Sequence, residues 1–290
     1  MEVEVLNESI EAIFKTQHPD GYWGERERFY TDKYKGTVWN VLILAELGAD
    51  PTDPRVRRAC EFLLDHSYES ESGGFSVSYS VKYKSGLPSQ VIPCLTGNMV
   101  FAMIRFGYMD DPRIQKAIDW IIRYQRTDDG VFTDVMDPKY ANNVACFSTH
   151  TCFMGVVKSL KALAEIPVHR RTQEVNRKIE ELSEFLLIHH IYKKSHDLKT
   201  IAKPGWTKFG FPLMYQTDVL EIVDIFRQLE IRDERLRDAL DLIQSKETIE
   251  GWQLESTMNG KMLIDIGQKM RPCEYLTRRA QNVLKYYRQA

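Results

Sequence analysis

Lys116-Ala-Ile-Asp-Trp120-Ile-Ile-Arg-Tyr-Gln125-Arg-Thr-Asp-Asp129-Gly130-Val-Phe132 is the stretch whose reading decides the fold. Together with the residues just before it, it places Ile114, Ala117, Ile118, Ile121 and Ile122 on one helical face and Arg113, Lys116, Asp119 and Arg123 on the other. That is a helix wet on one side. It ends at Gln125 and passes into a turn with Asp-Gly ahead of an aromatic residue.

The unit recurs along the chain. Gln17-His-Pro-Asp20-Gly21-Tyr-Trp23 follows a short helix expected around Ile10 to Phe14. Arg58-Ala59-Cys-Glu-Phe62-Leu63 leads to Ser67 and Gly73-Gly74-Phe75, Phe185-Leu186 leads to His190, and Ala239-Leu-Asp-Leu242-Ile243 leads to Glu247 and Gly251-Trp252. Between these outer helices lie segments of a different character. Thr37 to Gly48 and Thr96 to Gly107 align without a gap and are apolar almost all round, so they are buried on every side. Related starts stand at Thr151, Thr217 and Thr277. The turns Asp53-Pro54-Arg55, Asp111-Pro112-Arg113 and Asp233-Glu234-Arg235 supply an N-capping aspartate, followed in two of them by a proline suited to the first helical turn. A repeat of outer and inner helices predicts an all-α protein, an α/α toroid of about five helical hairpins with the inner helices around a central cavity. No internal boundary is visible, so one domain over residues 1–290 is expected.

Gln17 to Trp23 and Lys116 to Phe132 resemble the glutamine-tryptophan repeats of squalene-hopene cyclases and their relatives. The same toroid is shared by the β subunits of protein prenyltransferases. The resemblance therefore implies the terpenoid cyclase and prenyltransferase superfamily, and with it an isoprenoid as ligand. The Asp-x-Asp-Asp acid of class II cyclases and the Asp-Asp-x-x-Asp magnesium motif of class I synthases are both absent from these 290 residues. Asp110-Asp111 and Asp128-Asp129 read as capping pairs in repeat turns. Asp218, at the start of the fourth inner helix, is the acid best placed to face a cavity and is the candidate catalytic residue, with helix capping as its other reading.

The centre of the chain, Cys146-Phe-Ser-Thr-His150-Thr-Cys152-Phe153, gathers two of five cysteines and one of seven histidines at an expected helix N-terminus, a position that favours thiolate. It is similar to the segment that supplies the zinc-binding histidine of protein prenyltransferases. One repeat earlier, Ile92-Pro93-Cys94 keeps the cysteine of their Asp-x-Cys pair and lacks the aspartate. Cys146, four residues before His150, is a replacement ligand. Cys94, Cys146 and His150 thus form a candidate zinc set with an open fourth position. Cys60 and Cys152 are assigned to the core, and His190, at the repeat's glutamine position, to a structural hydrogen bond, with the cluster His189, His190 and His196 a weaker metal alternative. Lysines or arginines in every loop entering an inner helix, Lys33, Lys35, Lys82, Lys84, Lys139, Lys203, Lys208, Lys269 and Arg271, are ordinary wet loop residues or diphosphate ligands. The expected lining of an isoprenoid cavity is Trp39, Phe101, Phe153, Phe211, Tyr215 and Tyr275.

Composition sets the outer limits. With 39 basic and 41 acidic residues dispersed along 290 positions, no block points to nucleic acid. No apolar run reaches membrane-spanning length, the acidic opening lacks the features of a signal peptide, and the odd number of cysteines suits reduced thiols in a cytoplasmic protein. The expectation is a prenyltransferase-like or cyclase-like enzyme assisted by zinc. Its rival is a barrel that binds a lipid or a protein partner without catalysis.

Overall fold

The structure, a computed structural model, describes residues 2–128, 137–141, 143–147 and 150–288. Its helices are α1 (Glu2–Phe14), α2 (Thr37–Leu47), α3 (Pro54–His66), α4 (Pro93–Arg105), α5 (Pro112–Tyr124), α6 (Val144–Phe147), α7 (Phe153–Ala164), α8 (Gln173–Ile188), α9 (Val219–Gln228), α10 (Arg237–Ser245) and α11 (Glu274–Arg288). With α6 a single turn ahead of α7, the described helices pair along the chain as five hairpins. The all-α class, built from the hairpins of an α/α toroid, is the class observed. Two short antiparallel ribbons, β1 (Tyr79–Ser80) with β2 (Ser85–Gly86) and β3 (Lys193–Lys194) with β4 (Asp197–Ile201), are the additions that helical periodicity did not announce. The chain divides into two compact units, Met1–Ile179 with Gly260–Ile264 and Glu180–Asn259 with Asp265–Ala290. The division falls within α8, where the repeat shows no break.

In the first unit, α2 buries every residue from Thr37 to Ala45, α4 every residue from Pro93 to Met103, and α7 every residue from Gly155 to Leu163. Helices α4 and α7 can press together because their contact is made by glycines. A Cβ on Gly97 would lie 2.5 Å from the Lys158 carbonyl carbon, and one on Gly155 would lie 2.8 Å from the Pro93 Cβ. Helix α5 is amphipathic as expected, with Ile114, Ala117, Ile118 and Ile121 buried. Ile122 is half-buried, and Trp120 and Tyr124 complete the buried face.

The repeated turns are built alike. The backbone N–H of Trp23 donates to Thr37 Oγ1 at 3.1 Å, that of Phe75 to Thr96 Oγ1 at 2.9 Å and, in the second unit, that of Trp252 to Thr277 Oγ1 at 2.9 Å. Each turn is thereby tied to the first residues of the following inner helix. The two tryptophans also donate from Nε1 to the end of the preceding outer helix, Trp23 to Ile13 O and Trp252 to Ile243 O. Gly21, Gly73 and Gly251 take φ of +93°, +93° and +103°, which a side chain would strain. The equivalent Phe132 lies outside the described residues.

A second device repeats at the start of the outer helices. Asp53 accepts the Arg55 N–H as N-cap, and the Arg55 guanidinium reaches Glu11 on the outer helix before it. Asp111, Arg113 and Glu61 repeat the arrangement, and so do Asp233, Arg235 and Glu184 in the second unit. The arginines hold all three aspartates below the usual carboxylate range.

In the second unit, α9 buries all residues from Val219 to Phe226. Helix α11 departs from the expectation for an inner helix, with Leu276, Ala280, Val283 and Leu284 as its buried residues. Its neighbours α9 and α10 cover one side, and Arg278, Gln281, Asn282 and Lys285 occupy the rest.

Candidate functional site

The starts of α4 and α7, with α6 between them, gather three of the chain's five cysteines. Pro93 fixes the first turn of α4 and leaves Cys94 next to it, 8% exposed. At α7 the cap is Cys152, whose Sγ accepts the Gly155 N–H at 3.4 Å. Cys146, on α6, is half-buried and hydrogen-bonds to Cys152. Asn143 positions α6, its Nδ2 donating to Ser89 O at 2.9 Å and Val91 O at 3.2 Å on the segment that leads into α4. Arg126 donates to Phe147 O and to Asp128, and Asp128 accepts the Thr151 hydroxyl at 2.7 Å. Trp120, Tyr140 and Phe147 pack as a ring cluster beneath.

The electrostatics of the three thiols differ. Burial pushes Cys94 up to about 12, nearby Cys152 adds to the shift, and the α4 backbone and Lys158 oppose it. Cys146 is pushed up first by its hydrogen bond to Cys152 and then by burial. Both groups therefore keep their protons. Cys152 is the sulfur that receives, from a backbone N–H and from a neighbouring thiol, at a helix N-terminus.

Of the zinc set expected from sequence, the structure brings Cys94 and Cys146 together, with Cys152 as their shared neighbour, and leaves His150 exposed. Among the described residues, no three His, Cys, Asp or Glu side chains are grouped to hold a metal ion. As placed, these donors do not make a three-ligand set, and no chemical step is assigned to the metal. Cys152, expected in the core, is the residue sequence reasoning misassigned. Its position two residues after His150 pointed away from that histidine only if the helix had already begun, whereas the helix begins at Phe153. Cys60 is core as expected, fully buried and pushed up by burial.

Asp218 is the N-cap of α9, 1% exposed, with Oδ1 accepting the Glu221 N–H and Oδ2 the Gly210 N–H, both at 2.8 Å. Burial pushes it up to about 6 against the pull of those two bonds. His189 Nδ1 meets Phe185 O at 2.7 Å, and His190 Nδ1 lies 3.4 Å from Asp238, so both have protein partners.

The expected lining residues fall in both units. In the first, Trp39 is buried and donates from Nε1 to Tyr30 O at 2.8 Å, and Phe153 is half-buried. Phe101 is buried under the Lys161 ammonium, which lies 4.1 Å from its ring centre and pairs with Glu46. In the second, Phe211 and Tyr275 pack with ring centres 4.1 Å apart, and Tyr215 is half-buried.

The family model of the squalene-hopene cyclase C-terminal domain matches residues 1–144. The squalene-hopene cyclase of Bradyrhizobium diazoefficiens is 28% identical over 122 residues, 41% of this chain and 18% of that protein. A probable squalene-hopene cyclase of Sinorhizobium fredii is 25% identical over 135 residues, 45% of this chain and 20% of that protein. The matched region is thus about a fifth of the length of these relatives. Among solved structures, a variant of the type II terpene cyclase MstE from Scytonema, in complex with geranylgeranyl dihydroxybenzoate as substrate, superimposes with a TM-score of 0.51 at 13% identity, covering 98% of this chain and 74% of the other. A second, apo variant gives a TM-score of 0.53 at 12% identity, covering 98% and 73%.

Proposed function

We propose that this terpenoid cyclase-like chain is an isoprenoid-acting enzyme, taking an isoprenoid chain with a polar head into contact with its inner helices. The observation that carries the reading is the family match over residues 1–144, which takes in α1 to α5 and the two turns at Trp23 and Phe75. The substrate class is drawn from the structural neighbour that holds geranylgeranyl dihydroxybenzoate. Aromatic side chains on the inner helices suit such a chain, since their faces stabilise a cationic centre by about 0.5 to 2 kcal/mol each when dry.

Of the two candidate groups, one is proposed for chemistry and the other for structure. Cys152, half-buried and capping the start of α7, is the group proposed to contact the reacting head. Asp218 has both oxygens engaged by backbone N–H groups, and its proposed role is to hold the α9 start. The rival, a barrel that binds lipid without turning it over, is favoured by one feature: the Phe101 face is already covered by Lys161.

The test is thermal unfolding of the purified chain with geranylgeranyl diphosphate and with squalene, followed by product analysis and elemental analysis for zinc. A raised melting temperature with new product supports the enzyme, and a raised temperature with unchanged ligand supports the binder. No shift and no product with either ligand would remove the isoprenoid from consideration. Zinc at about one per chain, lost in His150→Ala, would restore the metal set expected from sequence.

A further inference from the structure

We infer that Cys146 and Cys152 are a modification site, a dithiol that a peroxide closes into an intramolecular disulfide joining α6 to the start of α7. The thiols of the chain are unevenly placed. Cys60 is sealed in the packing of α3 and Cys273 stands just ahead of α11 in the second unit, whereas Cys94, Cys146 and Cys152 share one neighbourhood. Within it, the side chains of Cys146 and Cys152 are in direct hydrogen bond, and both are half-buried, within reach of a small oxidant. Two sulfurs in such contact need to approach by only about 2 Å to bond. Cys94 is near Cys152 as well, but it is 8% exposed behind Pro93 and harder for an oxidant to reach.

The pair is held from outside. Asn143, at the entrance to α6, donates from Nδ2 to Ser89 O at 2.9 Å and to Val91 O at 3.2 Å. Cys152 accepts the Gly155 N–H at 3.4 Å, and a Cβ on Gly155 would lie 2.8 Å from the Pro93 Cβ, so the start of α7 is pressed against the start of α4. The segment before α4 thus steadies one sulfur and α4 itself the other, and thiols preorganised in this way react with each other faster than with an external partner. Cys152, the sulfur that accepts hydrogen bonds, attacks first. Its Sγ takes one peroxide oxygen, the O–O bond breaks, and the thiol proton leaves with the displaced oxygen as water, giving a sulfenic acid. Cys146 Sγ then attacks Cys152 Sγ, the S–O bond breaks, and the departing oxygen takes the Cys146 proton as a second water. The two sulfurs lose two electrons and hydrogen peroxide gains them. A dithiol reductant reverses the bond by exchange. The bond is argued and tested without any isoprenoid, so it stands apart from the enzyme reading.

The experiment treats the reduced full chain with equimolar hydrogen peroxide, alkylates the remaining thiols with iodoacetamide, and digests without reduction. Chymotryptic cleavage after Phe147 should leave two peptides joined through Cys146 and Cys152, with Cys60, Cys94 and Cys273 alkylated and the link undone by dithiothreitol. The bond should form about tenfold faster in the folded chain than in urea. Cys94→Ala should form it as the wild type does, whereas Cys146→Ala should stop at a sulfenic acid on Cys152, trapped by dimedone. No link between Cys146 and Cys152, a link to Cys94 in its place, or equal rates with and without urea overturns the proposal. Dimedone absent from Cys152 in Cys146→Ala overturns the order of attack. No ligand is present, so none of these outcomes bears on the proposed function.

Discussion

The start of α7 and the start of α9 are the same structural position filled with different chemistry. Each helix is capped by the side chain just before it, Cys152 through Gly155 N–H at 3.4 Å and Asp218 through Glu221 N–H at 2.8 Å. Asp218 also accepts from Gly210 and is 1% exposed, so its oxygens are committed to backbone donors. Cys152 is half-buried, caps through sulfur, a weaker acceptor, and shares its neighbourhood with Cys94 and Cys146. Where the cap is sealed and fully used, the helix field supports the fold. Where it is open and loosely used, the field is available to activate a thiol.

The sharpest way to break this contrast is Asp218→Ala. Two buried N–H groups would lose their acceptor, at about 1 to 3 kcal/mol each, so urea unfolding should show a loss of roughly 3 kcal/mol. Asp218→Asn keeps one acceptor and should lose about half as much. Normal stability in Asp218→Asn with turnover abolished would instead make this residue the catalytic acid.

Its titration gives the next effect in size. Because burial raises Asp218 to about 6, the folded state holds a proton that the unfolded chain releases near 4. The associated stability is present below about pH 4 and is lost as pH rises through about 6, by roughly 1 to 3 kcal/mol. Asp53, Asp111 and Asp233 act in the opposite sense, since their lowered values give stability that is present above about pH 4 and lost on acidification. Wild-type protein compared with Asp218→Asn across pH 3 to 8 should differ in slope between about pH 4 and 6. Parallel curves would place the Asp218 carboxyl at its ordinary value.

Much of the frame was legible because it is periodic. The stripe Ile114, Ala117, Ile118, Ile121 and the all-round burial of α2 and α4 follow from 3.6-residue geometry, and the Asp-Pro-Arg turns announce their own caps. The glutamates that complete the clamps, Glu11, Glu61 and Glu184, were not, because an exposed acid on an outer helix looks alike with or without a partner. Helix α11 stands at an inner-helix place in the repeat but buries one stripe, Leu276, Ala280, Val283 and Leu284, a difference that Arg278, Gln281, Asn282 and Lys285 already mark in the sequence. At the thiol site the residue types were visible, but whether Cys146 meets His150 or Cys152 depends on where α6 stops and α7 starts, and that one-residue register carries no sequence signal.

Cys152 supplies a smaller and more specific test. Cys152→Ala removes the α7 cap and should lower stability by about 1 kcal/mol, whereas Cys152→Ser keeps an acceptor and should lose little. Alkylation with iodoacetamide, followed residue by residue by mass spectrometry, should modify Cys152 ahead of Cys146, and both ahead of Cys94 and Cys60, which are buried. Faster labelling of Cys94 would reverse the assignment of an open and a sealed helix start.

The smallest effect comes from the exposed counterpart of the Asp218 cap. Asp111 also caps a helix, but its partner Arg113 is one-third exposed and reaches a Glu61 that is 38% exposed, so solvent screens the ion pair. Glu61→Gln should therefore lower stability by no more than about 0.5 kcal/mol, and added salt should shrink even that. Asp111→Ala also removes the acceptor for the Arg113 N–H and should lose about 1 kcal/mol, with little dependence on salt. The ratio of these two losses measures how much of the repeated clamp is capping and how much is charge. If Glu61→Gln lost as much as Asp111→Ala, the three arginine bridges would rank with the buried Asp218 cap as structural ties between successive outer helices.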